Sequence, residues 1–398
     1  MRRWSAAEAL ALRNALRLTK RAFAARLGVT HRSITNWETG RVTISGFSLS
    51  LLDQALQTAD DDAQQRFTEV LAELPRQGGP DRLDESAGPE RLEWVLAHPE
   101  QVDLIAVAQL REQIQDLDER YEHAPSTSLL AAAGQHHAQI TYLSGHCRTG
   151  RIRRELTTAR AESAILMGQL VWDASLRRDH TTAAAYFDEA IDAARQVGDT
   201  VTEANAHLRK SYIALYGYKD PTSGLHLAQE AARLSGTTSR VISGLGLLHV
   251  GEARAMLQER TACESALSDA EGQFAQVNNT DAAIELYSPS QLGRVAGSCF
   301  LFLNQPHTAQ QHLEQSSHLA QGPTKAGAIV HANLAIACVR QRQLDEAIGH
   351  LHQAIDLAEQ TRGAGGLNVT FAAGREMAPW RDQPAVREIH DRLLALMT

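Results

Sequence analysis

Five side chains that form hydrogen bonds fall within residues 31–36, and none of them is acidic. They are His31, Arg32, Ser33, Thr35 and Asn36. On a helix, Ile34 and Trp37 would share the buried face and leave the polar side chains outside. Arginine pairs with guanine O6 and N7, and asparagine pairs with adenine N6 and N7. The pattern therefore predicts a helix that reads base edges in duplex DNA.

The preceding residues predict the elements that position this helix. Thr19 can begin a helix by accepting a backbone N–H, and Gly28 can end it in the left-handed conformation. Val29 would pack in the corner between the two helices, and Thr30 would begin the second one. The sequence therefore predicts two short helices joined by a glycine turn, an arrangement that places one helix in a DNA groove.

Residues 8–56 resemble the phage-repressor/Cro-like (XRE) helix-turn-helix domains. They share the hydroxyl cap, the small alanine, the Gly-Val turn, the isoleucine of the recognition helix and the Trp-Glu-x-Gly sequence. The resemblance implies a DNA-binding domain of five helices. The residues that would read base edges are His31, Arg32 and Asn36. The residues that would hold phosphates are Thr30, Thr39 and Arg41.

The same resemblance implies further roles. Arg13 and Glu38 occupy positions where the family often forms an ion pair between the first helix and the recognition helix. Lys20 stands where the family usually has a glutamine, and a lysine there can still contact phosphate. The other predicted DNA-binding residues are Arg21, Ser33 and Thr35.

The charge of the chain is uneven along its length. Residues 1–59 contain nine Lys and Arg against Glu8, Glu38 and Asp53, so this segment carries +6. Because the whole chain of 398 residues carries −8, the remainder carries −14. A basic segment joined to an acidic body is the distribution expected when the segment alone binds DNA.

Composition favours a protein of the cytoplasm. The four cysteines are scattered and form no CxxC pair, which indicates buried thiols in a reducing compartment. The N-terminus lacks the apolar core of a signal peptide, and no stretch has the ~18 apolar residues of a membrane helix. We therefore expect cytoplasmic location and no membrane partner.

The chain divides into three segments by composition. Residues 1–72 are predicted to form the helix-turn-helix domain, residues 73–89 a hinge rich in Pro and Gly, and residues 90–398 a helical body. Aromatic residues are scarce and helical periodicity continues to the C-terminus, so the predicted fold class is all-α.

The helical body shows internal similarity with a period of roughly 34–42 residues, which is typical of helix-pair solenoids. The clearest unit, residues 328–354, resembles a tetratricopeptide repeat, with Asn-Leu-small in its first helix and Leu-Asp-Glu-Ala opening its second. Weaker units share small residues at matching positions. We expect five helix pairs over residues 165–361, with a capping helix over residues 383–397.

In tetratricopeptide solenoids the first helix of each pair lines a concave groove. The residues that this alignment places toward the groove are Arg209, Lys210, Tyr216, His249, Arg294, Asn333 and Arg340. Cations and an asparagine suit an extended peptide or an acidic small molecule. The alternative is a solvated helix face whose arginines pair with neighbouring acids.

Other candidate sites have ordinary explanations. The spacing of His136, His137, His146 and Cys147 matches no zinc pattern, so no metal is expected. Residues 363–366 are glycine-rich but lack the lysine of a phosphate loop, and a flexible turn is expected there. Because no nucleophile, base and metal ligand cluster together, we expect neither an enzyme nor a cofactor.

These features together predict a sequence-specific transcriptional regulator. Its expected partners are a double-stranded DNA operator, a second copy of the chain and an effector. The layout resembles tetratricopeptide-bearing regulators of Gram-positive bacteria, several of which are receptors for signalling peptides, and this implies a peptide or small acidic effector. The alternative function is an interaction scaffold whose solenoid docks a protein partner.

Overall fold

The structure, a computed structural model, describes residues 4–29, 31–38, 44, 47–73, 87–147, 150–236, 238–319 and 322–397. Within these ranges it contains twenty α-helices and no strand. The all-α fold predicted from the sequence is therefore confirmed. Among the same residues, no helix is both long enough and apolar enough to cross a membrane.

The N-terminal unit, which we call the head, consists of five helices. They are α1 (Ala6–Ala15), α2 (Lys20–Leu27), α3 (His31–Glu38), α4 (Phe47–Gln57) and α5 (Asp61–Glu73). Their fully buried side chains include Leu12, Phe23, Ile34, Leu52 and Phe67, one from each helix. The head therefore has a hydrophobic core of its own, to which all five helices contribute.

The helix ends in the head follow the local signals of the sequence. The Thr19 side chain accepts a hydrogen bond from the N–H of Ala22 at 3.0 Å and begins α2. Gly28 ends α2 with φ of +68°, a conformation that glycine adopts without a steric penalty. Val29 packs against the head core between α2 and α3, as expected. The predicted helix, glycine turn and second helix are thus present.

Three helices lead from the head into the solenoid. They are α6 (Ala87–Ala97), α7 (Leu104–Tyr121) and α8 (Ser126–His146). The segment expected to be a hinge, residues 73–89, lies largely outside the described residues, and α6 begins within it. The three helices share one core with the first long helix of the repeats.

The remaining helices are arranged as antiparallel pairs, each with an A helix and a B helix. The pairs are α9 (Gly150–Ala174) with α10 (His180–Val197), α11 (Thr200–Tyr212) with α12 (Pro221–Ser235), α13 (Arg240–Met256) with α14 (Arg260–Phe274), α15 (Gln291–Phe302) with α16 (Pro306–Leu319), and α17 (Lys325–Arg340) with α18 (Leu344–Thr361). A final pair joins α19 (Ala364–Glu376) to α20 (Pro384–Ala395).

Small residues set the distance between the two helices of a pair. A Cβ atom on Gly297 would lie 2.3 Å from Leu313, so a larger residue there would clash.

The A helices form an inner layer that closes on itself. Helix α11 packs on α13, α13 on α15, α15 on α17 and α17 on α19, and α19 returns to contact α9. The B helices lie outside this layer, each packed against its own A helix. Side chains from distant repeats are therefore brought together around a common interior.

A buried ion pair lies where the layer of A helices closes on itself. Lys325 Nζ on α17 lies 2.8 Å from Asp173 Oδ2 on α9, and their side chains are 7% and 3% exposed. The Ser126 hydroxyl donates to Asp173 Oδ2 at 2.6 Å and accepts from Lys325 Nζ at 2.7 Å. The N–H of Ala364 donates to Asp173 Oδ1 at 2.8 Å. We call this group the closure cluster, since it connects α8, α9, α17 and α19.

The prediction of a flexible turn at residues 363–366 is wrong. Ala364, Gly365 and Gly366 form the buried first turn of α19. A Cβ atom on Gly366 would lie 2.7 Å from Cβ of Ala328, so the glycine allows α19 to approach α17 closely. These glycines serve helix packing, which a local reading of the sequence cannot distinguish from turn formation.

Candidate nucleic-acid interface and inner groove

The orientation of α3 follows from the two residues that it buries. Ile34 is fully buried and Trp37 nearly so, and both pack into the head core. The opposite side of α3 therefore faces away from the head, as the sequence predicted. Ser33 and Thr35 are half-buried beside the core-facing residues.

Part of the predicted DNA-binding set lies outside the described residues. The backbones of His31, Arg32 and Asn36 belong to α3, but their side chains are not among the described residues. Thr30, Thr39 and Arg41 are likewise outside the described ranges. Arg21, on α2, is exposed to solvent. The structure thus defines the helix on which the base-reading residues sit, and their roles remain predictions.

A buried ion pair fixes α3 against α1. Arg13 Nε lies 2.6 Å from Glu38 Oε1, with the two side chains 1% and 4% exposed. Arg13 Nη1 also donates to the carbonyl oxygen of Leu18 at 3.0 Å. Burial raises the pKa of Glu38, and the charge of Arg13 offsets only part of this effect. The ion pair implied by the family resemblance is therefore present.

Ion pairs also connect the head to the solenoid. Lys20 Nζ on α2 lies 2.6 Å from Glu112 Oε1 on α7, and Arg17 Nη2 lies 3.0 Å from Glu155 Oε1 on α9. Burial lowers the pKa of Lys20, but the hydrogen bond and the charge of Glu112 outweigh it and raise the pKa overall. Lys20, a predicted phosphate-binding residue, is thus held by a carboxylate of α7 in this arrangement.

Two tyrosines lie close together where α11 meets α13. Tyr212 ends α11, and Tyr216 belongs to the π-helix that continues it over Ile213–Tyr218, with 5.9 Å between the two ring centroids. Tyr216 Oη donates to Glu252 Oε2 at 2.5 Å and lies 3.2 Å from His249 Nδ1. Burial raises the pKa of Tyr216 and lowers the pKa of His249. A neutral tyrosine and a neutral histidine therefore hold the buried Glu252 carboxylate in place.

Three arginines surround the tyrosine pair. The guanidinium carbon of Arg177 lies 4.6 Å from the ring centroid of Trp172 and 5.5 Å from that of Tyr216. The guanidinium carbon of Arg209 lies 5.7 Å from the Tyr212 ring centroid. Arg294 lies on α15, and its positive charge opposes the rise in the pKa of both tyrosines. In the part of the chain that the structure describes, none of the three arginines has a carboxylate within ion-pair distance.

The other residues predicted to line the groove have partners of their own. Lys210 pairs with Asp188 of α10. Asn333 donates to the Ser298 hydroxyl at 3.0 Å. Arg340 binds Glu376 at 2.7 Å and donates to the carbonyl oxygen of Leu301 at 2.8 Å. The structure thus brings Arg209, Tyr216, His249 and Arg294 together and places Lys210, Asn333 and Arg340 in separate contacts. The cluster also contains Trp172, Arg177 and Tyr212, which the sequence analysis did not single out.

The histidines considered for metal binding make other contacts. His137 Nδ1 lies 2.9 Å from the Ser163 hydroxyl, and His146 Nδ1 lies 2.8 Å from the carbonyl oxygen of Tyr142. Within the described ranges, no three His, Cys, Asp or Glu side chains are grouped so that they could hold a metal ion.

Residues 10–62 match the family model described as helix-turn-helix. No curated protein matches the chain. Similar solved structures include the apo form of the quorum sensor NprR from B. thuringiensis, with 11% identity, a TM-score of 0.42, and coverage of 79% of this chain and 99% of that one. Yeast Tom70 shows 14% identity and a TM-score of 0.31 over 95% of this chain and 84% of its own. Residues 10–62 are therefore a helix-turn-helix domain of the XRE type, which indicates a DNA-binding regulator, and the helices that follow them form a tetratricopeptide-like solenoid.

Proposed function

We propose that the protein is a sequence-specific transcriptional regulator of the cytoplasm whose solenoid binds an effector and pairs with a second copy. The observation that carries the proposal is the orientation of α3, because burial of Ile34 and Trp37 turns the opposite side of the helix away from the head core. The Arg13–Glu38 ion pair holds α3 in that orientation. A helix presented in this way suits the major groove of a DNA operator.

The first test is base readout by α3, once an operator has been selected from genomic fragments. Arg32→Ala should weaken operator binding by about 1–3 kcal/mol and relax the preference at one base pair, and Asn36→Ala should act similarly at another. Thr39→Ala and Arg41→Ala serve as comparison variants, since loss of a phosphate contact should weaken binding to all sequences alike and reduce its salt dependence. Fluorescence anisotropy on operator and random duplexes measures both effects. Equal losses on the two duplexes for Arg32→Ala would disprove base readout.

The working form is proposed to be a homodimer on a two-fold operator. A single DNA-binding module buries only ~600–1,000 Å² of protein surface, which is small for selective binding. The solenoid supplies the surface on which two copies would pair, and the half-sites should then lie ~10 base pairs or a multiple of this apart. Light scattering at micromolar concentration should give the mass of a dimer when operator is present. A monomeric mass with and without operator would refute this arrangement.

The effector is proposed to bind the inner groove and to change the affinity for the operator. The closed layer of A helices supports this coupling, because a ligand that contacts several of them favours one curvature of the solenoid over another. The contact between Lys20 and Glu112 links that curvature to the head. A difference in ligand affinity of ~1–3 kcal/mol between two arrangements is sufficient for such coupling.

A further inference from the structure

We propose that Arg177, Arg209 and Arg294, with the rings of Tyr212 and Tyr216, form the binding site for a carboxylate attached to an aromatic ring. The proposal rests on the effector-binding function proposed above and gives the chemical class of the effector. The shared chemistry belongs equally to the C-terminus of a peptide that ends in an aromatic residue and to a small aromatic acid.

Among the described residues, the arginines of this cluster have no carboxylate within ion-pair distance. Charged groups inside proteins are usually paired, because an unpaired charge in a poorly solvated place is costly. Of the acids nearby, Glu252 is already bound by Tyr216 and His249, and Asp118 of α7 stays beyond ion-pair distance of Arg209. An anion from outside the chain would therefore meet cations that have no direct ion-pair partner within the described ranges.

The unsatisfied polar atoms in the cluster are all donors. Arg177 Nε, Arg209 Nε and Trp172 Nε1 are buried and, within the described residues, have no hydrogen-bond partner. Guanidinium and indole N–H groups cannot accept hydrogen bonds, so a ligand that satisfies them must bring acceptor oxygens. A carboxylate brings two oxygens with acceptor sites for several N–H groups.

The aromatic rings indicate the rest of the ligand. Tyr212 packs with Tyr216 at 5.9 Å and with His249 at 4.4 Å between ring centroids, and Trp172 lies under Arg177. Flat rings favour a flat ring as an additional neighbour, through offset stacking and edge-to-face contact. A ligand with a ring next to its carboxylate would contact both the arginines and the tyrosines.

The backbone at the site is itself unusual. Ile213–Tyr218 is the π-helical segment of the solenoid, and π-helical turns are rare and frequent at functional sites. Lys219, directly after it, has a left-handed φ of +57°. Tyr216 lies in this segment, beside Glu252 and Arg177. The chain thus departs from regular helical geometry where the arginines and tyrosines meet.

The test uses N-acetyl-L-phenylalanine, its amide, sodium benzoate and inorganic phosphate as probes with the full-length protein. We expect calorimetry to detect binding of the carboxylic acids and none of the amide. At ten times the dissociation constant, the acid should raise Tm by about 2 °C. Tighter binding of the peptide Ala-Ala-Phe than of benzoate would indicate that the ligand is the C-terminus of a peptide. Tighter binding of benzoate would indicate a small aromatic acid. Phosphate binding that equals acid binding would mean that the ring makes no contribution, which would contradict the proposal.

Matched arginine variants locate the binding. Arg209→Ala and Arg294→Ala should lower the affinity for the acids at least tenfold, and Arg209→Lys should lower it partly, because lysine keeps the charge but loses bidentate geometry. Arg233→Ala, on the exposed face of α12, is the control and should leave the affinity unchanged. The Tm of each variant without ligand shows whether it is folded.

The outcomes separate this proposal from the proposed function. Operator binding by the wild-type protein together with no binding of any probe at 10 mM would overturn the arginine–tyrosine site and leave the regulator intact. Equal affinity of the wild-type protein and both alanine variants for the acids would also overturn it. Absence of operator binding would refute the proposed function, whatever the probes do.

Discussion

Replacement of Lys325 by methionine should destabilise the solenoid by about 3–5 kcal/mol. The change removes the ammonium group of the closure cluster but leaves Asp173 buried, with only the Ser126 hydroxyl and the N–H of Ala364 as partners. Breaking one side of a buried ion pair is costly because the remaining charge stays in a poorly solvated place. Urea unfolding followed by circular dichroism should show the transition at lower urea concentration.

Two further variants distinguish the ion pair from a general effect of losing a lysine. Lys219→Met removes an exposed ammonium and should change stability by less than about 0.5 kcal/mol. The double variant Lys325→Met with Asp173→Asn should recover a large part of the loss, since no unpaired charge remains. If Lys325→Met and Lys219→Met unfold at the same urea concentration, the closure cluster does not stabilise the closed solenoid.

Replacement of Arg13 by methionine should abolish DNA binding while leaving the solenoid folded. Loss of the guanidinium leaves Glu38 buried and unpaired, at a cost of about 3–5 kcal/mol. A domain of this size has a total stability of only a few kcal/mol, so the head should lose its fold or the fixed position of α3. Affinity for operator and random DNA should fall together, as measured by fluorescence anisotropy.

The control for Arg13 is its neighbour Arg17. Arg17 pairs with Glu155 of the solenoid and is partly exposed, so Arg17→Met should leave the head folded. The unfolding transition of the solenoid in Arg13→Met should match that of the wild-type protein. Unchanged operator affinity in Arg13→Met would show that the Arg13–Glu38 ion pair does not position α3.

The sequence predicted the head well because the residues that mark its helix ends and helix faces are close together in the chain. Thr19 and Gly28 mark the ends of α2 within ten residues, and Ile34 and Trp37 define one face of α3. The five helix pairs were also predictable, since small residues recur at the contacts within each pair, as at Gly297. Each of these features depends on neighbours that are close in the chain.

The closure of the solenoid was not predictable in the same way. It depends on Lys325 meeting Asp173 and on glycines such as Gly366, whose packing partners are far away in the chain. A glycine-rich stretch read locally predicts a turn, whereas here it permits close contact between two helices. The position at which the solenoid closes follows from many small angles between repeats, and no single motif specifies them.

The inner groove was predicted in part. Arg209 and Arg294 followed from the helical period and the alignment of repeats. Tyr216, inside the π-helix, was predicted as well. Arg177 was missed because it lies after the end of α9, where helical periodicity assigns no face.

The contact between Lys20 and Glu112 has a consequence for the ionic strength at which the protein works. DNA binding releases cations condensed on the phosphates, and the number released sets how steeply affinity falls with salt. When Lys20 leaves Glu112 for a phosphate, the vacated and partly exposed carboxylate draws cations back from solution. The net number of cations released is then smaller than the number of phosphates that the protein contacts. Operator affinity should therefore vary less with cellular potassium than it would for a head whose cations face water.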